Sequence, residues 1–261
     1  MLKRRLIPVL YLLNGWMVRS ELFRTHQVLG QVVHHIERMM DWEVDELIVL
    51  NIGREERYEA GRTDVRYPGA FDFASLISQI SGQCRIPLTF GGQIRTFGDV
   101  AMRIENGADK IALNTVLHED PAMVTRAAHA YGSQAIVASI DYRLVDGQPV
   151  TFIEGGTKSV ALSPVESARR AVELGAGEIL LNAIDRDGVA CGFDIARIAE
   201  LVDSVDIPVI ACGGAGRDIH FVRTFEATTV PAIAAGNIFH FTEDAYPRIK
   251  RLLRTRFGDF R

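Results

Sequence analysis

Two pairs of glycines, each placed after a strand-like apolar run, are the clearest candidates for binding chemistry in this sequence. Gly91 and Gly92 end one run, and Gly213 and Gly214 end the other. A glycine pair lets backbone N–H groups approach an anion closely, and the N-terminus of a following helix adds positive potential. Because a polar helix start follows each pair, the sequence predicts two phosphate sites.

The two glycine pairs belong to similar halves of the chain. Ile86, which opens the first run, precedes its counterpart Ile207 by 121 residues. Asn114 and Asn237 each end a further apolar run and are 123 residues apart. We therefore expect one domain spanning 1–261 that contains an internal repeat, with halves of approximately 1–130 and 131–261.

Asp141 is the best candidate for acid or base catalysis, because it directly follows the apolar run Ala135–Ile140. A carboxylate at the end of a parallel strand can act as a general acid or base when burial brings its pKa near the working pH. The alternative roles are a helix cap or an ion-pair partner for Arg143. The equivalent residue of the first half is Tyr11, which cannot perform carboxylate chemistry at neutral pH.

The elements that must position these residues follow from eight short apolar runs, which alternate with amphipathic segments along the chain. Such alternation is typical of β/α repetition around a parallel sheet. Eight repeats within 261 residues predict an α/β fold, a single (β/α)8 TIM barrel, with an open doubly wound sheet as the weaker alternative. The runs are Leu6–Leu10, Leu47–Ile52, Ile86–Phe90, Ile111–Leu113, Ala135–Ile140, Ile179–Leu181, Val209–Cys212 and Ala232–Ala235.

Composition narrows the classes of partner. The net charge of −4 provides no basic surface for nucleic acid, and no apolar run approaches the roughly 20 residues of a membrane span. Cys84, Cys191 and Cys212 lack metal-ligand or redox spacing. We therefore expect a cytoplasmic protein that acts on small molecules or proteins, with no nucleic acid or membrane partner, no metal site and no cofactor.

A series of motifs in order along the chain resembles one family, the HisF-like proteins, which are the cyclase subunits of imidazole glycerol phosphate synthase. The matching strings cover essentially the whole chain. They include Arg5-Leu-Ile-Pro, Gly107-Ala-Asp-Lys-Ile-Ala-Leu-Asn-Thr, Ile184-Asp-Arg-Asp-Gly, Gly213-Gly-Ala-Gly and Phe239-His-Phe.

The resemblance implies a (β/α)8 barrel whose substrate carries two phosphates. A HisH-like glutaminase would dock at the amino-terminal face as the second chain of a heterodimer, and ammonia would travel through the barrel. The reaction closes an imidazole ring and releases an aminoimidazole carboxamide ribotide. One phosphate would meet Gly92, Asn114 and Thr115. The other would meet Asp187, Gly188, Gly214, Gly236 and Asn237.

Four charged residues each stand directly before an apolar run, so all four should lie at the amino-terminal mouth of the barrel. They are Arg5, Glu46, Lys110 and Glu178. Burial of such charges is tolerated only when they pair with one another. By resemblance they form the ammonia gate; the alternative is an ordinary ring of strand-start charges, since Arg85 and Asp206 also precede strands.

Two further positions match family residues that contact the glutaminase. They are Asp109 and Gln134, which the resemblance therefore assigns to the partner interface. The alternative is that both belong to solvated loops between a helix and the next strand.

The sequence also departs from the family pattern around the substrate face. Tyr11 replaces an aspartate that shares the acid and base work with the counterpart of Asp141, Asn51 replaces another aspartate, and Gln93 replaces the third glycine of a phosphate loop. Extra residues at about 57–69, with Arg62, Arg66 and Tyr67, lengthen the loop after the second run. Loss of one catalytic carboxylate should cripple ring closure, because such a group contributes about 10²–10⁴-fold in rate.

Three hypotheses about function follow. The first is a divergent HisF-like subunit of a glutamine amidotransferase, resembling a subgroup linked to acetamidino modification of lipopolysaccharide and other surface sugars, where a separate sugar amidotransferase uses the ammonia. Pro8-Val-Leu-Tyr-Leu-Leu-Asn-Gly and Ala235-Gly-Asn-Ile-Phe-His-Phe carry that likeness. The second is a working cyclase of histidine biosynthesis. The third is a non-catalytic scaffold that activates the glutaminase.

Overall fold

Eight parallel strands close into a barrel in the computed structural model, which describes residues 3–53, 58, 72–241 and 243–261. Two hairpins extend the sheet to 12 strands. In chain order the strands are β1 (Arg5–Leu13), β2 (Trp16–Glu21), β3 (Thr25–Gly30), β4 (Leu47–Asn51), β5 (Leu88–Gly91), β6 (Lys110–Leu113), β7 (Ile136–Val145), β8 (Gln148–Ile153), β9 (Lys158–Ser159), β10 (Glu178–Ala183), β11 (Val209–Cys212) and β12 (Ala232–Ala235).

Helices surround this barrel. They are α1 (Val32–Asp41), α2 (Phe73–Gln83), α3 (Phe97–Glu105), α4 (Val116–Glu119), α5 (Pro121–Tyr131), α6 (Pro164–Glu173), α7 (Ile195–Val202), α8 (Asp218–Ala227), α9 (Ile238–Phe241) and α10 (Ala245–Arg256). Among the described residues, none of these helices is long and apolar enough to cross a membrane.

Barrel closure confirms the predicted (β/α)8 fold and excludes the open sheet. Strand β1 pairs in parallel with β12 on one side, where Ile7 faces Ala234, and with β4 on the other. Strand β7 pairs in parallel with β10, where Ile140 faces Leu181. The sheet therefore has no free edge among its eight parallel strands.

The two hairpins are the main part of the fold that the strand prediction missed. Strand β1 turns back into β2 and β3, and β7 turns back into β8 and β9, at equivalent places in the two halves. Each first turn is an Asn-Gly or Asp-Gly pair with positive φ: Asn14 and Gly15 at 50° and 83°, and Asp146 and Gly147 at 51° and 77°. Such pairs are strong hairpin signals. The pattern of buried apolar runs does not include them, so it predicted only the barrel strands.

The apolar core divides into two layers. One lies between the strands and the surrounding helices, and the other fills the barrel interior. The interior layer includes three alanines, Ala112, Ala232 and Ala234. Thr89 is also buried, and its hydroxyl has no hydrogen-bond partner among the described residues.

Capping interactions fix where the helices begin. Ser163 and Glu166 form a capping box at the start of α6, with the Glu166 amide donating to Ser163 Oγ at 3.2 Å. Thr96 and Asp99 form a second box at the start of α3. The cap at Thr96 therefore fixes the start of α3 at Phe97, shortly after the glycine turn that follows β5.

Candidate active site

A pocket at the carboxyl-terminal ends of the strands brings together the residues predicted for the second phosphate. It is lined by Tyr11, Asp187, Gly188, Cys212, Gly213, Gly214, Ala215, Ala235, Gly236 and Asn237. Tyr11 of strand β1 and the segments at or after the ends of β10, β11 and β12 contribute to it. Sequence reasoning thus named residues that lie together, and their role in phosphate binding stays a prediction.

The backbone of this pocket has no room for a side chain at Gly188, Gly213 or Gly214. Gly214 has φ of 105°, and a Cβ there would overlap the carbonyl oxygen of Gly192. The Gly192 amide donates to the Gly214 carbonyl at 2.8 Å, which holds the turn in place. The loop after β11 therefore presents bare backbone to a ligand, as the glycine pair predicted.

Strand β2 contributes contacts to the pocket that the sequence did not indicate. Ser20 Oγ donates to Asp187 Oδ2 at 2.7 Å, and Asn237 Nδ2 donates to the Ser20 carbonyl at 2.7 Å. The Asn237 Oδ1 atom is buried without a hydrogen-bond partner among the described residues. The first hairpin thus ties together two residues of the predicted second phosphate site.

Asp141 lies on β7 with only 8% of its surface exposed. Burial, reinforced by the nearby carboxylate of Asp187, raises its pKa to about 7, although a hydrogen bond from Asn182 opposes the shift. Arg143 pairs instead with Asp185 at 3.3 Å, so the ion-pair alternative for Asp141 is wrong. A carboxyl group with a pKa near neutrality is suited to both accepting and donating a proton.

The raised pKa of Asp141 predicts a pH-dependent cost to stability. Below pH 3.8, its ordinary pKa, the carboxyl is protonated in the folded and unfolded chains alike. As pH rises towards 7, ionisation favours only the unfolded chain, so the free energy of unfolding falls by about 4 kcal/mol. We expect Asp141→Asn to remove this loss, so that the variant exceeds the unaltered chain in stability increasingly between pH 4 and 7.

Chemical denaturation across that pH range measures the effect. Asp146→Asn, the same change on an exposed carboxyl in the turn that follows β7, serves as the matched control and should leave the profile unaltered. If the free energy of unfolding depended on pH in the same way in Asp141→Asn and in the unaltered chain, the raised pKa of Asp141 would be contradicted.

Tyr11 fills the position where the resemblance expects a second carboxylate. Its side chain is 4% exposed and lines the same pocket as Cys212, and Gly236 packs against its ring. Burial raises its pKa well above the ordinary value, and Cys212, Asp187 and Asp141 add to the shift. The phenol therefore stays neutral at physiological pH and supplies no carboxylate chemistry.

The residues predicted for the first phosphate follow neighbouring strands, because Gly91 of β5 pairs with Ala112 of β6. Asn114 and Thr115 also contact the second hairpin. Asn114 Nδ2 donates to the Ser139 carbonyl at 3.0 Å and lies 3.4 Å from Asp141 Oδ2. Thr115 Oγ1 accepts from the Glu154 amide at 3.1 Å. These contacts connect the predicted first phosphate site to the candidate catalytic carboxyl.

Asn51 and Gln93 lie at the edge of the barrel where the sequence departs from the family pattern. Asn51 is buried, and its Oδ1 accepts from the Gly53 amide at 3.1 Å. Gln93 has φ of 52°, and its Nε2 donates to the Gly53 carbonyl at 2.5 Å. The lengthened loop at about 57–69, with Arg62, Arg66 and Tyr67, lies outside the described residues.

The opposite mouth of the barrel holds a closed ring of alternating charges, the basal charge ring of Arg5, Glu46, Lys110 and Glu178. Arg5 Nη1 lies 2.7 Å from Glu46 Oε2, and the other terminal nitrogen of Arg5 contacts Glu178. Lys110 Nζ lies 2.8 Å from Glu46 Oε1 and 2.7 Å from Glu178 Oε2. Each cation thus bridges both carboxylates.

Burial distinguishes this ring from ordinary strand-start charges. The side chains of Glu46 and Glu178 are 2% and 6% exposed, whereas Arg85 and Asp206, which also precede strands, are exposed. Burial alone would lower the pKa of Lys110, but Glu178 and Glu46 outweigh it and raise the pKa. The four groups form one network of paired charges at the barrel axis, and its role as a gate stays a prediction.

Asp109 and Gln134 lie on the same amino-terminal face, at the start of neighbouring strands β6 and β7. Both are exposed. Asp109 Oδ2 accepts from the Leu88 amide at 2.8 Å, and Gln134 Nε2 donates to the Tyr131 carbonyl at 3.2 Å. Their exposed position next to the basal charge ring is compatible with the predicted contact to a glutaminase.

Comparison with known proteins agrees with this geometry. The family model described as histidine biosynthesis protein matches residues 5–245. The putative imidazole glycerol phosphate synthase subunit hisF2 of Pseudomonas aeruginosa is 37% identical over 247 residues, which cover 92% of each chain. The imidazole glycerol phosphate synthase subunit HisF of Saccharolobus solfataricus is 38% identical over 252 residues, covering 97% of this chain and 95% of the relative.

A further relative extends the match to another bacterial lineage. The imidazole glycerol phosphate synthase subunit HisF of Leuconostoc mesenteroides is 36% identical over 257 residues, covering 97% of this chain and 96% of the relative. The family model spans the glycine turns and all four residues of the basal charge ring, and these relatives align with at least 92% of the chain. This chain therefore belongs to the histidine biosynthesis protein family, as a HisF-like (β/α)8 barrel.

Proposed function

We propose that this chain is the ammonia-conducting synthase subunit of a glutamine amidotransferase, working with a HisH-like glutaminase on a phosphorylated substrate. The observation that carries this proposal is the basal charge ring, in which Lys110 and Arg5 each bridge Glu46 and Glu178. Burying four charged side chains at the barrel axis costs free energy, because each ion loses its hydration. Control of passage through the barrel would explain why the ring is there.

The interior above the ring is suited to ammonia. Neutral ammonia needs no counter-charge, and the described interior layer directly above the ring is formed largely by aliphatic side chains such as Ile7, Ile48 and Val137. The pocket at the other end, with its bare glycine backbone, is where the resemblance expects phosphate. The ammonia and a phosphorylated acceptor would therefore meet at the carboxyl-terminal face.

The finer part of the proposal concerns what happens to the ammonia. With Tyr11 buried and neutral in place of a carboxylate, the face supports amidine formation on an acetamido sugar better than imidazole ring closure. In that reaction the ammonia nitrogen attacks the amide carbonyl carbon and forms the new C–N bond. Before that attack, a separate sugar amidotransferase would transfer a phosphoryl or nucleotidyl group from a nucleoside triphosphate to the amide oxygen. The oxygen then leaves with this group as the C–O bond breaks, and the attacking nitrogen gives up a proton.

One observation favours a second candidate, a working imidazole glycerol phosphate cyclase. Asp187 is buried, its pKa is raised mainly by burial, and it acts electrostatically on Asp141. The site therefore still contains two carboxyl groups that interact electrostatically, even though Tyr11 is not a carboxylate. Such pairs can divide acid and base roles. Asp187 would then replace the missing family aspartate.

Reconstitution with a HisH-like glutaminase tests the proposal. We expect the chain to stimulate glutamine hydrolysis and to pass isotopically labelled amide nitrogen to an acetamido sugar nucleotide, in the presence of the sugar amidotransferase and nucleoside triphosphate. The control omits this chain while holding free ammonia at the same concentration. In a parallel assay with the phosphoribulosyl formimino substrate, labelled imidazole product would support the cyclase candidate. Stimulation of the glutaminase with no nitrogen transfer in either assay would identify a scaffold.

A further inference from the structure

Arg103 is a completely buried arginine that neither the sequence patterns nor the family resemblance singled out. It lies on α3 with 1% of its surface exposed, and its guanidinium packs over the Phe73 ring at 4.9 Å from the ring centroid. Buried arginines are ordinarily paired with an acid. Asp99 lies one helical turn earlier, but its carboxylate accepts from the Arg95 and Thr96 amides.

The guanidinium donates instead to backbone carbonyl groups. Its Nη2 atom lies 2.7 Å from the Gly92 oxygen and 3.4 Å from the Gln93 oxygen, and Nη1 lies 2.8 Å from the Asp99 oxygen. Its Nε atom has no hydrogen-bond partner among the described residues. Burial lowers the pKa of Arg103 to about 10, so the group still carries its full charge at neutral pH.

These contacts determine which way the turn after β5 presents its amides. In a trans peptide the C=O and N–H groups point in opposite directions, and the described chain has no cis peptide. Because the Gly92 carbonyl points to Arg103, the Gln93 N–H points away from it. The Gln93 carbonyl likewise directs the Ile94 N–H away from the helix layer.

The conformation of this turn also fits an anion site. Gly92 and Gln93 have φ of 87° and 52°, both in the left-handed region, and successive amides in such turns form concave sites for anions. A Cβ on Gly92 would overlap the Asn51 carbonyl oxygen, so the position must stay bare. Arg103 therefore lies on the carbonyl side of the turn at residues 92–94, and the amides of Gln93 and Ile94 point away from Arg103.

From these contacts we propose that Arg103 is a positioning residue of the first phosphate site, which fixes the amides of Gln93 and Ile94 towards a phosphate. Its positive charge, which no carboxylate among the described residues pairs with directly, also contributes to binding. The ligand class is a phosphomonoester, such as a sugar phosphate. This inference rests on the proposed function, in which the substrate is phosphorylated. It identifies the Arg103 guanidinium on α3 as a positive charge that attracts that phosphate.

The test is a titration of isotopically labelled protein with inorganic phosphate, in which amide signals report the two sites separately. In the unaltered chain we expect the signals of Gly92 and Gly214 both to shift. In Arg103→Met the phosphate concentration needed at Gly92 should rise about tenfold or more, as expected for loss of a unit charge acting through the interior, while Gly214 is unaffected. Arg103→Lys, which keeps the charge but not the two terminal nitrogens that hold the turn, should recover part of the loss.

Two comparisons keep the result decisive. Unchanged phosphate binding at Gly214 shows that Arg103→Met is folded. Arg126→Met is the matched control: Arg126 is an exposed residue of α5 that stacks on Phe97 of α3, and this variant should bind phosphate like the unaltered chain. Equal phosphate affinity at Gly92 in Arg103→Met and the unaltered chain would overturn the inference, as would no recovery in Arg103→Lys. Absence of any shift in the unaltered chain would overturn the proposed phosphate sites themselves and the role of Arg103 with them.

Discussion

Replacing Lys110 by alanine is expected to uncouple glutamine hydrolysis from product formation in the complex with the glutaminase. Lys110 bridges Glu46 and Glu178, so its loss leaves two buried carboxylates with Arg5 as their single counter-charge. Breaking a buried pair in this way costs about 3–5 kcal/mol, and the ring must rearrange or admit water. Ammonia released by the glutaminase would then escape rather than enter the barrel.

The decisive comparison is between two nitrogen sources. Product formation from glutamine should fall steeply in Lys110→Ala, whereas product formation from added ammonia, which reaches the carboxyl-terminal face directly, should be retained. Arg85→Ala removes an exposed cation that precedes β5 on the same face and serves as the control. Equal losses with glutamine and with ammonia in Lys110→Ala would mean that the basal charge ring is structural only.

The sequence was sufficient to predict the barrel because the strands are nearly continuous apolar runs separated by amphipathic helices. The runs at Val209–Cys212 and Ala232–Ala235 match β11 and β12 to the residue. Strands β1 and β7 are longer than predicted, since each extends beyond the barrel into a hairpin. The β7 extension contains polar and partly exposed residues such as Arg143, so an apolar run does not reveal it. The β1 extension, Tyr11 to Leu13, is apolar and largely buried, and the predicted run simply ended too early.

The charge ring was predictable in part. Charges directly before strands must lie at the amino-terminal mouth of a barrel, but their pairing depends on strands far apart in the chain. Lys110 and Glu178 are 68 residues apart in sequence. The same pattern places Arg85 and Asp206 before strands, and only the folded barrel distinguishes these exposed charges from the buried four.

Contacts across the carboxyl-terminal face were beyond sequence reasoning. Ser20 binds Asp187 only because the first hairpin folds over the loop after β10, and Tyr11 meets Cys212 only inside the closed barrel. Arg103 went unnoticed because a charged residue on a helix ordinarily faces solvent. The signal that was present is its position three residues after buried Val100, on the face of α3 that packs against the barrel.

Tyr11→Asp should give the chain an ammonia-dependent cyclase activity that the unaltered chain lacks. Asp141 already lies in the site with a pKa of about 7, and the exchange restores a carboxylate at the position where the family expects one. It also removes the buried ring that packs against Gly236. One positioned acid or base contributes about 10²–10⁴-fold in rate, which sets the size of the expected gain.

Tyr11→Asn is the matched control, because asparagine creates nearly the same space as aspartate and cannot exchange a proton in this role. If the gain arises from acid and base chemistry, only the aspartate variant should show it. A similar gain in both variants would mean that the tyrosine ring merely obstructs the substrate, and that Asp141 with Asp187 already suffices for catalysis.

The measurement that tests the central claim most directly is ammonia-dependent ring closure of the phosphoribulosyl formimino substrate by the purified unaltered chain, with both Tyr11 variants assayed beside it. We predict no turnover by the unaltered chain or by Tyr11→Asn, and clear turnover by Tyr11→Asp. Turnover by the unaltered chain at the rate of Tyr11→Asp would contradict the account and identify a working cyclase of histidine biosynthesis.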